Sequence, residues 1–212
     1  DNNLIRGTQY GTYLEPSRIS GPIYLRNNTI ISRYVGISSY GMTIHPEISY
    51  NTITFDTTSI RDYFYMFEAY GTYGSDPDTI WMVGNKFKVN ANNSASTFYS
   101  YCYFSDFYPA DALIMANNEF YVPYKSNLGY AYLEFYYCDN IHFINNSFLS
   151  YLNSAYINLD YGSGKLVMKN NNLVNLAGGD LLTFNGRTVT ESDYNNVYSS
   201  GLSLSSWKSA TA

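Results

Sequence analysis

The chain is short of charge. Only 14% of its 212 residues are Asp, Glu, Lys or Arg, against roughly 25% in an average soluble domain. Lys and Arg number 12 against 17 Asp and Glu, which gives a net charge of −5 and a pI near 4.9. A protein that holds nucleic acid by neutralising phosphates needs the opposite balance, so that class is excluded. Ala, Leu, Glu and Lys are too scarce for a helical bundle or coiled coil. No apolar run approaches the ~18 residues of a membrane-spanning helix, and Asp1 to Tyr10 holds no signal-peptide core. There are two cysteines, Cys102 and Cys138. They allow at most one disulfide and do not fix the redox compartment; two small buried thiols are the simpler expectation. The only histidines are His45 and His142. Neither accompanies a nucleophile motif, so a Ser-His-Asp arrangement has no support. No phosphate loop and no zinc spacing is present.

In place of charge the chain has Tyr and Asn. Aromatics reach 18%, with 25 Tyr, and the hydrophobic fraction of 45% is enough for a sizeable core. Many aromatics and little charge is the reverse of a disordered composition. Polar surface made from Tyr, Asn, Ser and Thr points to a secreted or cell-surface protein. Asn often comes in pairs: Asn27-Asn28, Asn117-Asn118, Asn145-Asn146 and Asn195-Asn196.

These pairs belong to an internal repeat. An aliphatic stretch is followed by Asn, any residue and an apolar residue, as in Ile23-Tyr24-Leu25-Arg26-Asn27-Asn28-Thr29-Ile30. The unit returns around Asn51, Asn85, Asn118, Asn146 and Asn171, with fainter copies at Asn2 and Asn195. The successive spacings are 26, 23, 34, 33, 28, 25 and 24 residues. A period of that size with insertions in some copies is the mark of a solenoid. Before each Asn the apolar residues alternate (Ile80, Met82; Leu113, Met115; Ile141, Phe143; Leu166, Met168), and period two means strand. A second short run follows each Asn. A third lies between repeats, at Tyr63 to Tyr70, Phe98 to Phe104, Tyr130 to Tyr137, Ala155 to Tyr161 and Asp180 to Asn185. The expected fold is therefore all-β: a right-handed parallel β-helix of about eight coils with three short strands per coil.

The Asn position has a physical reason. Coils of such a solenoid lie roughly 4.8 Å apart. An Asn at the same turn of each coil can donate its amide to the next Asn, tolerate left-handed backbone and bond its own turn. Asn28, Asn51, Asn85, Asn118, Asn146 and Asn171 are the expected ladder. Asn27, Asn92 and Asn145 begin Asn-x-Ser/Thr sequons, but two of these belong to ladder turns, so glycosylation is the weaker reading.

This Asn-x-apolar pattern resembles the pectate-lyase-like right-handed β-helix superfamily, including the carbohydrate-binding and sugar-hydrolase repeats of bacterial surface proteins. The resemblance covers essentially the whole chain. The tail, Ser192-Asp193-Tyr194-Asn195-Asn196-Val197-Tyr198 and then Leu202 to Thr211, is similar to the close of many large bacterial secreted β-helix proteins. One domain is expected over residues 1–187, with a degenerate last coil and tail over 188–212. The first repeat opens directly at the turn, so the expectation is a fragment of a longer protein, or a unit making end-to-end or parent-chain contacts.

In that superfamily ligands lie along the sheet formed by the third strand type, and alternation selects the outward residues there. Tyr99, Tyr101 and Tyr103 are expected outside, with Ser100 and Cys102 inside. Tyr132, Glu134 and Tyr136 are expected outside, with Leu133 and Phe135 inside. Tyr156, Asn158 and Asp160 follow, and the preceding coil offers Tyr63, Tyr65 and Phe67. The expected surface is an aromatic face about four coils long, edged by Glu134 and Asp160. Tyr rings suit the C–H faces of sugars and also protein contacts; cross-strand stacking alone would make the face merely structural. The expected function is a non-catalytic adhesin or stalk module that binds polysaccharide or a cell-surface protein. The alternatives are a lyase or glycosidase using Glu134 and Asp160 as paired carboxylates, and a filament subunit. No cofactor is expected; Asp76 and Asp78, in the longest insertion, form the one weak Ca²⁺ candidate.

Overall fold

The computed structural model describes residues 1–7, 9–14, 22–40, 47–56, 63–70, 79–90, 98–105, 112–122, 129–151, 154–160, 162, 164–178, 181–184 and 187–199. They form a right-handed parallel β-helix with three sheets. Sheet A follows the Asn turns and stacks Leu4–Arg6, Thr29–Ser32, Thr52–Asp56, Lys86–Asn90, Glu119–Val122, Ser147–Ser150, Asn172–Asn175 and Asn196–Ser199. Sheet B comes next in each coil: Tyr10–Leu14, Val35–Tyr40, Tyr63–Tyr70, Phe98–Ser105, Gly129–Tyr136, Ser154–Asp160 and Leu182–Thr183. Sheet C closes the coil ahead of the next turn: Tyr24–Arg26, Glu47–Ser49, Thr79–Val83, Ala112–Ala116, Ile141–Ile144, Leu166–Lys169 and Glu191–Asp193. Sheet A has eight strands, so its seven intervals at ~4.8 Å span about 34 Å.

Inward columns of side chains stay apolar from coil to coil because the coils stack in register. Ile30, Ile53, Phe87, Phe120, Phe148 and Leu173 form one inward column of sheet A. Phe87 and Phe120 stack with centroids 4.9 Å apart and planes 3° from parallel. In sheet B, Phe104 and Phe135 also stack at 4.9 Å. That distance is the strand spacing itself, so identical rings in register meet at contact distance without rotamer strain. Cys102 and Cys138 are both free and buried. Burial pushes the Cys102 thiol up, against a smaller opposing hydrogen bond with the Phe67 backbone.

The ladder is continuous. Each member's backbone N–H and side-chain amide donate to the Oδ1 of the next member, from Asn28 to Asn51, Asn85, Asn118, Asn146 and Asn171. The second amide hydrogen goes to a sheet C carbonyl, as from Asn118 Nδ2 to Met82 O at 2.8 Å. From Asn51 to Asn171 every donor and acceptor of these buried side chains is thereby used.

Two details differ from the sequence reading. The first member is Asn3 rather than Asn2, since Asn3 donates to Asn28 Oδ1. The left-handed residue is also not the ladder residue but the one before it. Asn2, Asn27, Tyr50, Asn117, Asn145, Asn170 and Tyr194 have φ between 52° and 57°, and Gly84 has 67°. The Asn doublet thus divides two tasks, an exposed αL position and a buried ladder position. Asn27 and Asn145 of the sequons are exposed αL residues, so the ladder does not occupy them. Asn195 extends the ladder from Asn171, and the strands at Glu191–Asp193 and Asn196–Ser199 pair in register with the preceding coil.

Candidate functional site

The outer face of sheet B is built by register. Tyr65, Tyr101, Tyr132 and Tyr156 occupy one column across four coils. Glu68, Tyr103, Glu134, Asn158 and Thr183 occupy a parallel column. Tyr40, Tyr70, Ser105, Tyr136 and Asp160 share a third. Alternation drives this: Cys102, Phe104, Leu133, Phe135, Ile157 and Leu159 point inward and are buried, which leaves Tyr103, Tyr132, Glu134, Tyr136, Tyr156 and Asn158 outside, while Ser105 is buried.

Of the residues selected from the sequence, Tyr65, Tyr103, Tyr132, Glu134, Tyr136, Tyr156 and Asn158 are half-exposed on this face. Tyr132 and Tyr156 stack at 5.5 Å with planes 15° apart, a two-ring platform. Thr183 donates its hydroxyl to Asn158 Oδ1 at 2.9 Å, which fixes that amide. Tyr70 and Tyr103 approach to 5.6 Å and tie the polar column to the third. The side chains of Tyr63, Tyr99, Tyr101 and Asp160 lie outside the described residues, as do His45, Asp76, Asp78 and Asn92. No group of three or more His, Cys, Asp or Glu suited to a metal ion occurs among the described residues.

One expectation is corrected. Phe67 does not face out; it is fully buried and stacks on Phe104 at 5.0 Å. The register slips between Tyr101 and Cys102, so that Tyr101 pairs with Tyr65 while Cys102 pairs with Phe67. Met66 is the extra residue of this bulge and is buried too. The same inward step recurs in the two preceding coils as glycine. A Cβ on Gly36 would lie 2.5 Å from Ile53 Cγ2, and one on Gly11 would lie 2.3 Å from Ile30 Cγ2.

The bulge moves Glu68 to the outside, a residue the alternation argument missed. The signal in the sequence was two adjacent large apolar residues, Met66-Phe67, between polar Tyr65 and Glu68. Glu68 accepts a hydrogen bond from Tyr70, whose phenol is pushed up by burial first and by this carboxylate second. The aromatic face also extends further than expected. Tyr10, Tyr34 and Tyr65 form an edge-to-face chain at 6.3 and 5.9 Å, and Tyr40 meets Tyr70 at 5.7 Å. Among the described residues of sheet B, no Lys, Arg or His stands on this face.

Compared with protein-family models, curated protein sequences and solved structures, the chain matches none of them.

Proposed function

We propose that this β-helix is a non-catalytic binding module of a secreted or cell-surface bacterial protein, and that its ligand is a glycan held on the outer face of sheet B. The proposal includes membership of the pectate-lyase-like superfamily, on the strength of the Asn-x-apolar repeat. The observation that carries it is the side-by-side placement of a tyrosine column and a carboxylate–amide column on one sheet. Stacked rings such as Tyr132 and Tyr156 offer apolar area at small conformational cost and suit the C–H faces of a pyranose. Glu68, Glu134 and Asn158 beside them supply acceptors and donors for sugar hydroxyls. The absence of cations on the described part of this face favours neutral or amine-bearing sugars over uronates.

The test is affinity electrophoresis through gels containing soluble polysaccharides. Retardation by at least one neutral or amine-bearing polymer, lost in Tyr132→Ala/Tyr156→Ala, is the expected result. Retardation unaffected by that double substitution would remove the platform from the reading.

A second reading, a glycosidase, gains from one observation. Glu68 and Glu134 stand two coils apart in one column, with Tyr103 between them. Two sheet intervals are about 9.6 Å, near the upper end of the carboxyl separation in inverting enzymes. Release of reducing ends from a polymer, abolished by Glu68→Gln and by Glu134→Gln, would favour it.

A further inference from the structure

Sheet A carries a hollow on its outer face, remote in register from the columns described above. Its volume is about 460 Å³, and Glu119, Tyr121, Asn145, Ser147, Leu149 and Val174 line it. That size lies within the roughly 300–1,000 Å³ of small-ligand sites. The hollow sits where one outward column steps down from Tyr121 to Leu149 and Val174. The Tyr121 ring stands above these two shorter aliphatic side chains, which occupy the next two coils. Glu119, Ser147 and Asn172 of the second outward column form the polar wall.

The wall has unused hydrogen-bonding capacity. The Asn145 amide and the Ser147 hydroxyl are exposed and make no hydrogen bond among the described residues. Asn145 is held outward by its αL backbone, φ 54°, while its neighbour Asn146 is consumed by the ladder. The nearby cations are engaged: Lys86 lies 3.8 Å from the Glu119 carboxylate and Lys88 sits over the Tyr121 ring at 5.9 Å. A site for an acidic ligand would present a free Lys or Arg here. A docking peptide strand would seek an unpaired backbone edge. Here the strands Glu119–Val122, Ser147–Ser150 and Asn172–Asn175 are each paired on both sides.

We propose that this hollow is a second carbohydrate site, which takes a neutral oligosaccharide lying along the helix axis from Tyr121 towards Val174. Pyranose C–H faces rest on the Tyr121 ring and on Leu149 and Val174. The Asn145 amide, the Ser147 hydroxyl and the Glu119 carboxylate bond the ring hydroxyls. The site is independent of the sheet B reading, because no residue is shared.

The test is saturation-transfer NMR and calorimetric titration of the whole chain with cellopentaose, xylopentaose, mannopentaose and laminaripentaose, with trigalacturonate as the anionic control. At least one neutral pentaose is expected to bind with an affinity that falls at least tenfold in Tyr121→Ala and severalfold in Asn145→Ala. That affinity should be unchanged in the sheet B variant Tyr132→Ala/Tyr156→Ala. Ser147→Arg, at an exposed strand position, fills the hollow and serves as the blocking variant should Tyr121→Ala lower the melting temperature. Silence of all four neutral probes, preference for trigalacturonate, or binding that only the sheet B variant removes would overturn the proposal. So would concentration-dependent dimerisation abolished by Ser147→Arg, which would make the face a protein interface.

Discussion

Asn118→Leu is the most direct perturbation of the ladder, because this side chain occupies its middle. Asn118 Oδ1 accepts from Asn85 N at 3.0 Å and from Asn85 Nδ2 at 3.1 Å. Its own Nδ2 donates to Met82 O at 2.8 Å and to Asn146 Oδ1 at 3.0 Å. Leucine leaves two buried groups without partners, the Asn85 backbone N–H and one Asn85 amide hydrogen, while the Met82 carbonyl stays in the ladder with the strand Ala112–Ala116. Asn146 Oδ1 keeps its bond from the Asn118 backbone N–H. A buried orphan costs about 1–3 kcal/mol, and burial of the leucine methyls returns about 1–2 kcal/mol. The net loss is therefore about 2–3 kcal/mol, which for a chain of this size lowers the melting temperature by roughly 4–12 °C. The neighbouring Asn117 is exposed at φ 56° and has no part in the ladder, so Asn117→Gly should stay within about 0.5 kcal/mol of the parent. Urea unfolding followed by far-UV circular dichroism and by tyrosine fluorescence measures both variants, with coincidence of the probes as the check on two-state behaviour. A loss below about 1 kcal/mol for Asn118→Leu, or equal effects at 117 and 118, would refute the division of labour within the doublet.

Other outcomes follow from single positions. Tyr194 is αL at φ 52° and 81% exposed, so Tyr194→Asn should stabilise by about 0.5–1 kcal/mol through relief of backbone strain, read as a raised melting temperature. Gly36→Ala places a methyl 2.5 Å from Ile53 Cγ2 and 2.6 Å from Met66 O, and should cost about 1–3 kcal/mol in the same urea assay. Arg26 donates to the Glu47 carboxylate and holds it below the usual carboxylate range, with desolvation opposing. That contribution is complete above the ordinary Glu range and is lost as pH falls through the lowered value. Glu47→Gln should therefore flatten the acid limb of the stability–pH curve by a small amount, since the pair is partly solvated. A thiol reagent should leave Cys102 and Cys138 unmodified in the native chain at neutral pH and label both in urea, because both are buried.

Fold was legible because a solenoid repeats its physics in one dimension. Each coil needs the same inward residues and the same buried amide at one corner, so the requirement reappears every 23 to 34 residues and can be read along the chain. What failed was local. The Asn doublet looks like one signal, yet backbone handedness belongs to its first member and hydrogen bonding to its second. Only the direction of each side chain separates them. The outward set of sheet B was legible wherever alternation is unbroken, as at Leu133, Glu134 and Phe135. It failed at Met66, where the strand takes one extra residue and every later side chain changes face.

The sequence alone therefore determined the architecture, the ladder positions after the first and most of the aromatic face, since these depend on period and residue type. Tertiary structure decided which residues meet across coils. Loops of unequal length hide the register of neighbours far apart in the chain, so the column that brings Glu68, Tyr103 and Glu134 together has no sequence signature. The hollow beside Tyr121 was equally out of reach. A hollow is a difference in height between residues in adjacent coils, and that exists only once the coils are stacked.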